Sequence, residues 1–136
     1  MSDTPFSWRT RVYWEDTDAG GVVYYANYLR YLERARTEWL RVRGVVQQRL
    51  AAEQGVQFMV LRVEVDYRAA ARLDDLLSVT AEMRPDTRTT AVFSQRIWRE
   101  PVGADGGRER LVEAEVRVVC VDASTLRPRR MAEHIG

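Results

Sequence analysis

Apolar positions recur along this chain in two rhythms, and the change from one to the other marks out its elements. From Tyr25 onward, Tyr25, Tyr28, Leu29, Leu32, Ala35, Trp39 and Leu40 follow the i, i+3, i+4, i+7 rule. That spacing predicts one long amphipathic helix beginning near Tyr25, with Arg30, Glu33, Arg34, Thr37, Glu38 and Arg41 on its solvated face. Arg34 with Glu38, and Glu38 with Arg41, are spaced to meet there, each pair adding roughly 0.2–0.5 kcal/mol. Gly44 is placed to stop the helix, because glycine takes the left-handed conformation at little cost.

On either side of the helix the rhythm has period two. Trp8, Thr10, Val12 and Trp14 alternate with Arg9, Arg11 and Tyr13, which predicts a half-buried strand over residues 8–14. After a short helix or turn over residues 46–54, ended by Gly55, a strand is expected over 56–67, where Leu61, Val63, Val65 and Tyr67 alternate with Arg62, Glu64 and Asp66. Asp74-Asp75 opens a third strand carrying Leu77, Val79, Ala81 and Met83 on one face, and Pro85-Asp86 turns the chain into a fourth over 89–99. The run PVGADGG (101–107) reads as a flexible hairpin loop before a last strand over 109–122.

Strands joined by such short turns pair antiparallel, since a parallel return needs a crossover of about a dozen residues. The expected class is therefore α+β, a five-stranded antiparallel sheet wrapped around one long helix, with apolar stripe facing apolar sheet. Open edges, and Trp98, Val119 and Val121 expected on the outer face, favour an oligomer.

Composition narrows the classes. A chain of 136 residues with no internal break in composition is expected to be one domain, 1–136. All 21 basic residues are arginine and face 20 acidic ones, a formal charge of +1 that gives no case for a nucleic-acid partner. Without lysine there is no Schiff-base chemistry, and with Cys120 as the single cysteine there is no intrachain disulfide or Cys-rich metal site. No apolar run approaches about 18 residues and no export signal opens the chain, so a cytoplasmic protein without a transmembrane segment is expected.

Candidate chemistry concentrates where the first strand hands over to the helix, in EDTDAGGVVYY (15–25). A carboxylate lies there close to a helix N-terminus, whose unpaired N–H groups and partial positive charge stabilise an anion or an oxygen on which charge is developing. A calcium loop fails on spacing: with Asp16 at position 1, Gly20 falls at position 5 and Asn27 at position 12, where ligands are required, so no metal is expected. Gly20-Gly21 fits no phosphate-binding pattern; it reads as a tight turn, and Gly21 also as a place where backbone can approach a ligand. On residue grounds alone Asp18 is either a helix-entry residue satisfying backbone N–H groups or a reacting carboxylate. Glu33, beside Arg30 and Arg36, reads as an ion pair, and RPRR (127–130) as a solvated tail. The only histidine, His134, lies near the terminus, and no G-x-S-x-G elbow occurs, so a hydrolase built from this chain must work through carboxylates.

The stretch RVYWEDTDAGGVVYYANYLRYLERAR (11–36), followed by VDYRAAARLDDLL (65–77) and EAEVRVVCVD (113–122), resembles the 4-hydroxybenzoyl-CoA thioesterase family, in particular its YbgC-like acyl-CoA thioesterase branch associated with the Tol-Pal envelope system. The resemblance implies a hotdog fold that dimerises into one continuous sheet and often pairs again into a homotetramer. It implies acyl-CoA hydrolysis with Asp18 as the catalytic carboxylate, acting as nucleophile or general base, and the backbone N–H of Tyr25 as donor to the thioester oxygen. No cofactor is implied, CoA being part of the substrate. Substrate contacts are expected from Gly21, from an aromatic lining of Tyr24 and Tyr28, and from Val60, Leu61 and Arg62 of one subunit facing the helix mouth of another. Arg62, Arg72 and Arg88 are candidates for the CoA phosphates, as more weakly is RPRR. Tyr25 stands where many members have histidine, Ala70 where a proline is common and Leu61 where a basic residue often lies. A non-catalytic module binding acyl-CoA or acyl carrier protein would keep such a pocket without needing Asp18. A dehydratase of the same fold would need a histidine, and only His134 is on offer.

Overall fold

The computed structural model describes residues 6–101 and 107–131. Its elements are β1 (Ser7–Arg11), a 3-10 turn (Trp14–Asp16), α1 (Asn27–Val42), a short α2 (Gln47–Arg49) running into one π-helical turn (Leu50–Gln54), and then β2 (Val56–Tyr67), β3 (Leu76–Thr80), β4 (Glu82–Pro85), β5 (Thr90–Arg99) and β6 (Glu109–Asp122). All strand pairs are antiparallel and the order across the sheet is β1-β3-β5-β6-β2, with β4 also on β5.

Six strands stand where five were expected. The strand anticipated after Asp75 is interrupted at Ala81 into β3 and β4, which keep one register along β5. At the break the Gln95 side chain donates to the Thr80 carbonyl (3.2 Å) in place of a ladder bond. β2 does not lie beside β3 as consecutive strands would. It crosses to the far side of the sheet and pairs with β6 along its whole length, with a bulge at Leu61. β1 stops at Arg11 rather than Trp14, and Trp14 is left exposed on the 3-10 turn.

The helix buries its stripe between two groups of core residues. Tyr28, Tyr31, Leu32 and Ala35 pack with Val12, Leu77, Val79, Ile97 and Val112; Trp39 and Leu40 pack with Phe93, Val116, Val118 and Cys120. Each large side chain so buried contributes roughly 1.5–3 kcal/mol. Three positions depart from the expected stripe: Tyr25 and Leu29 are exposed, and Tyr31 is fully buried. Gly44 ends the helix with φ +82° as expected. Of the surface pairs, Glu38 meets Arg41 (3.3 Å), while among the described residues Arg34 and Glu38 form no ion pair. Glu33 forms none either, because Arg36 turns inward to donate to Gln95 Oε1 (3.1 Å). Gln95, itself buried, donates to the Leu32 carbonyl (3.0 Å), and so ties helix to sheet.

Val119 and Val121 were expected to face outward but are buried. After β6 the chain folds back, Val121 bridging to Pro128 and Arg129 N–H donating to the Cys120 carbonyl (2.8 Å). Arg129 also donates to the Gln54 and Gly55 carbonyls (3.2 Å each), so this residue of the RPRR run closes the π-helical turn instead of lying in solvent. Trp98 is half-buried beneath the guanidinium of Arg108, 4.6 Å from its ring centre.

Candidate active site

Between β1 and α1 the chain makes a tight double-backed loop, and its two aspartates have opposite fates. Asp16 is 8% exposed: Oδ2 accepts the Tyr13 N–H (2.9 Å), Oδ1 accepts the Asn27 side-chain amide (3.0 Å), and its carbonyl accepts the Tyr24 N–H (2.9 Å). Burying a charged carboxylate is tolerable only with such partners. Asp18 is exposed; Oδ1 accepts the Gly20 N–H (2.8 Å), and among the described residues Oδ2 has no partner. The loop closes through Thr17 bridging Val23 and the Asp18 N–H on the Val22 carbonyl (2.9 Å), with Gly21 at φ +79° making the turn.

Opposite this loop runs residues 68–75. The Val23 N–H donates to the Ala71 carbonyl (2.9 Å), and the Ala71 N–H donates to the Tyr28 hydroxyl (2.9 Å). Arg72 bridges Val22, and its guanidinium has no partner among the described residues. Asp75 accepts the Arg72 N–H (2.9 Å) and the Arg99 guanidinium (3.0 Å), which holds this segment against β5.

The helix starts at Asn27, two residues later than its apolar spacing predicts, so Tyr25 stands just outside it. Tyr25 is 63% exposed, and its backbone N–H donates to nothing among the described residues. Its carbonyl accepts the Tyr67 hydroxyl (3.1 Å) from the end of β2. Tyr24, Tyr25 and Tyr67 form an exposed aromatic rim, with ring centres 5.0 Å and 6.4 Å apart in sequence of contact. Tyr28 lies behind it in the core, its ring 5.5 Å from Tyr67, and so backs the rim instead of lining an open surface. Burial pushes the Tyr67 and Tyr28 phenols above their ordinary range, the Ala71 N–H partly offsetting this at Tyr28. The Tyr31 phenol is raised further, first by burial and then by the nearby Asp16 charge.

Asp18, Gly21, Tyr24, Tyr25 and Arg72 are thus gathered at one end of the sheet. The other candidates are not. Val60, Leu61 and Arg62 lie mid-way along β2, roughly 20 Å from Tyr67 at the rise of an extended strand. Arg62 pairs with Glu64, and Val60 and Leu61 are exposed on the sheet edge. Val60 borders a cavity of about 140 Å³ walled by Leu40, Phe58, Met83, Phe93 and Val118 with Arg36 at its rim. Arg88 sits in the β4–β5 turn, at the opposite end of β5 from Arg99 and about 30 Å away along the strand. A larger concavity of about 720 Å³ lies on the sheet, lined by Arg9, Glu64, Arg96, Glu113 and Glu115 among others, and includes neither Asp18 nor Tyr25. Among the described residues no three His, Cys, Asp or Glu side chains converge on a metal-sized space. His134 lies outside the described residues.

Asn27, Asp16 and Tyr67 were missed as parts of this site. Periodicity cannot tell Asp16 from Asp18, two residues apart in one acidic turn; only the polar Asn27 at the head of an otherwise apolar stripe hints at a buried partner.

The sequence profile of the thioesterase-like superfamily matches residues 12–136. The chain is 49% identical over 135 residues to the acyl-CoA thioester hydrolase YbgC of Escherichia coli O157:H7, covering 99% of this chain and 96% of that protein. It is 46% identical over 128 residues to the acyl-CoA thioesterase YbgC of Haemophilus influenzae, covering 94% and 89%. Among solved structures, a probable thioesterase from Bartonella henselae superposes with a TM-score of 0.85 at 30% identity, covering 95% of this chain and all (100%) of that one.

Proposed function

The chain belongs to the thioesterase-like superfamily and is a thioester hydrolase, and we propose that it cleaves acyl-CoA with Asp18 as the reacting carboxylate and the Tyr25 N–H as donor to the developing oxyanion. The observation that carries this reading is the Tyr25 N–H at the mouth of α1, unpartnered among the described residues, in the same loop as an aspartate with one carboxylate oxygen likewise unpartnered among them. A preorganised donor of this kind is typically worth about 3 kcal/mol in the transition state. It does not depend on the side chain at position 25, so tyrosine in place of histidine leaves it intact.

Two routes use the same residues. In one, the Asp18 carboxylate attacks the thioester carbon, CoA leaves as the thiolate and takes a proton from water, and a second water hydrolyses the mixed anhydride. In the other, Asp18 takes a proton from the water that attacks. A single turnover in ¹⁸O water followed by mass analysis of the Asp18 peptide tests the first: label in the carboxylate requires an anhydride opened by water at the aspartyl carbon, whereas label in the released acid alone fits either route.

The gap between Tyr25 and the Val60–Arg62 stretch supports a homo-oligomer. β2 is an edge strand carrying exposed Met59, Val60, Leu61 and Val63, a surface suited to pairing with a second copy. Residues out of reach of their own helix mouth would then face the neighbour's, completing the acyl site with the CoA phosphates near Arg72 and the neighbour's Arg62. The same reading extends to a cytoplasmic protein associated with the Tol-Pal system, acyl-CoA or acyl carrier protein presenting the thioester, with pairing of dimers into a tetramer and no cofactor. No helix among the described residues is long and apolar enough to cross a membrane.

The test is thiol release from a panel of short, long and aromatic acyl-CoAs by wild type and Asp18→Asn. Turnover of at least one member, falling by about 100-fold or more in the variant with CoA binding retained, is the expected result. Equal inactivity of both proteins with acyl-CoA binding intact would sink the catalytic reading and favour a binding module.

A further inference from the structure

The Tyr25 N–H shares a peptide unit with the Tyr24 carbonyl, and in a trans peptide the two point in opposite directions. The Tyr24 carbonyl accepts the N–H of Asn27 at 2.8 Å, which turns the Tyr25 N–H away from the helix and into the loop's open side. Whatever fixes Asn27 therefore aims the donor. Asn27 is 5% exposed, and its side-chain amide donates to Asp16 Oδ1 at 3.0 Å. Asp16 grips the same segment from the other side, its carbonyl accepting the Tyr24 N–H at 2.9 Å. Its second carboxylate oxygen is held by the Tyr13 N–H at 2.9 Å, at the start of the 3-10 turn that leaves β1.

We propose that Asp16, acting through Asn27, is a positioning residue for catalysis: it aims the Tyr25 N–H at the thioester oxygen without touching substrate. The proposal rests on the thioesterase reading above. Asp16 is the wrong group for the chemistry itself, since both of its oxygens are engaged and it is sealed from solvent, whereas Asp18 keeps one oxygen open. A buried carboxylate is also a costly way to hold a loop, and an amide or hydroxyl would satisfy one N–H at lower cost. What a carboxylate adds is the capacity to accept two hydrogen bonds at once along fixed directions, and here those directions tie the chain leaving β1, at Tyr13, to the first residue of α1. Displacements of about 1 Å in such a donor cost up to the order of 100-fold in rate, so an indirect residue can matter as much as a direct one.

The chemistry offers a rescue. In Asn27→Asp two carboxylates face each other and the bond is lost; in Asp16→Asn the NH₂ at position 16 faces the NH₂ of Asn27, and a bond returns only if the Asn27 amide turns over and gives up the Arg30 guanidinium on its Oδ1 (3.4 Å). In the double variant, Asp16→Asn with Asn27→Asp, the amide introduced at position 16 still accepts the Tyr13 N–H through its carbonyl oxygen while its NH₂ donates to the carboxylate introduced at position 27. A carboxylate there is also favourable in the first turn of a helix.

Steady-state kinetics on an acyl-CoA that wild type hydrolyses would be measured for both singles, the swap and Asn27→Ala, with melting temperatures alongside. The expected result is kcat down by about 10- to 100-fold in each single variant and in Asn27→Ala, KM within about 2-fold, and the swap recovering at least about 10-fold over the weaker single. If Asp16→Asn does not fold, Asn27→Ala, which leaves the Tyr13 bond in place, carries the test. Lower melting temperatures with kcat unchanged, or a swap that restores stability and not kcat, would overturn the proposal and leave the thioesterase reading standing. Wild type turning over no thioester would overturn both.

Discussion

Gly20 and Gly21 are neighbours whose substitution would fail in different ways. Gly21 has φ +79° with open space where a Cβ would go, so Gly21→Ala meets no clash but holds a left-handed backbone unfavourable by about 1 kcal/mol. Calorimetry should show its melting temperature lowered by about 3–5 °C. Gly20 has no such backbone demand, but a Cβ there would lie 3.2 Å from Asp18 Oδ1, tighter than an ordinary contact. Gly20→Ala should therefore leave the melting temperature within about 1 °C while lowering kcat by about 5- to 10-fold, through a carboxylate moved by a few tenths of an ångström. A variant that lost stability and kept kcat would show that the Asp18 position is not the sensitive quantity. The glycine pair was legible in the sequence as a turn, but not which glycine serves the backbone and which the carboxylate. That division depends on where the Asp18 side chain folds back, and no spacing rule carries it.

At the scale of elements, the long runs were legible because their burial is periodic: β2 and β6 span the residues their alternation predicts, and Gly44 and Gly55 end helices with positive φ. What escaped was each place where a polar side chain replaces a backbone bond. Gln95 is the clearest case, a polar residue amid a β-strand's inward face that joins Leu32, Thr80 and Arg36 and splits the expected third strand in two. Its partners are remote in sequence, so nothing local announces it. Gln95→Met would keep the volume but leave the Thr80 carbonyl and the Arg36 guanidinium short of a partner. Burial already lowers the Arg36 pKa, marking a cation poorly served by solvent. Urea denaturation should report a loss of about 2–3 kcal/mol, with the far-UV spectrum unchanged. A loss under about 0.5 kcal/mol would mean that water replaces the amide.

For the whole molecule, three buried acids share one direction. Burial raises the pKa of the Cys120 thiol above its ordinary 9.0 and of the Tyr28 and Tyr31 phenols above 10.0, Arg129 offsetting part of the effect at Cys120. Above about pH 9 the unfolded chain releases these protons while the folded chain retains them, so the unfolded state binds fewer protons and unfolding free energy falls as pH rises. Their contribution is intact below about pH 9 and is lost from there upward; denaturation at intervals from about pH 7.5 to 11 should show it, and Cys120→Ala should delay its onset. Assembly gives the sharper test. On the reading proposed above, two copies paired through β2 would place each acyl site between chains, one supplying Asp18 and Tyr25 and the other Val60 to Arg62. Asp18→Asn destroys a site through its first half, and Leu61→Trp obstructs one through its second. Refolded together in equal amounts, half the dimers should be mixed, and each mixed dimer holds one intact site of two, so about a quarter of wild-type activity should appear from two nearly inactive parents. Sedimentation of that mixture at twice 15.8 kDa or more should accompany it. Activity no greater than the sum of the parents would put the whole site within a single chain, and would require the Val60–Arg62 stretch to serve some purpose other than the acyl group.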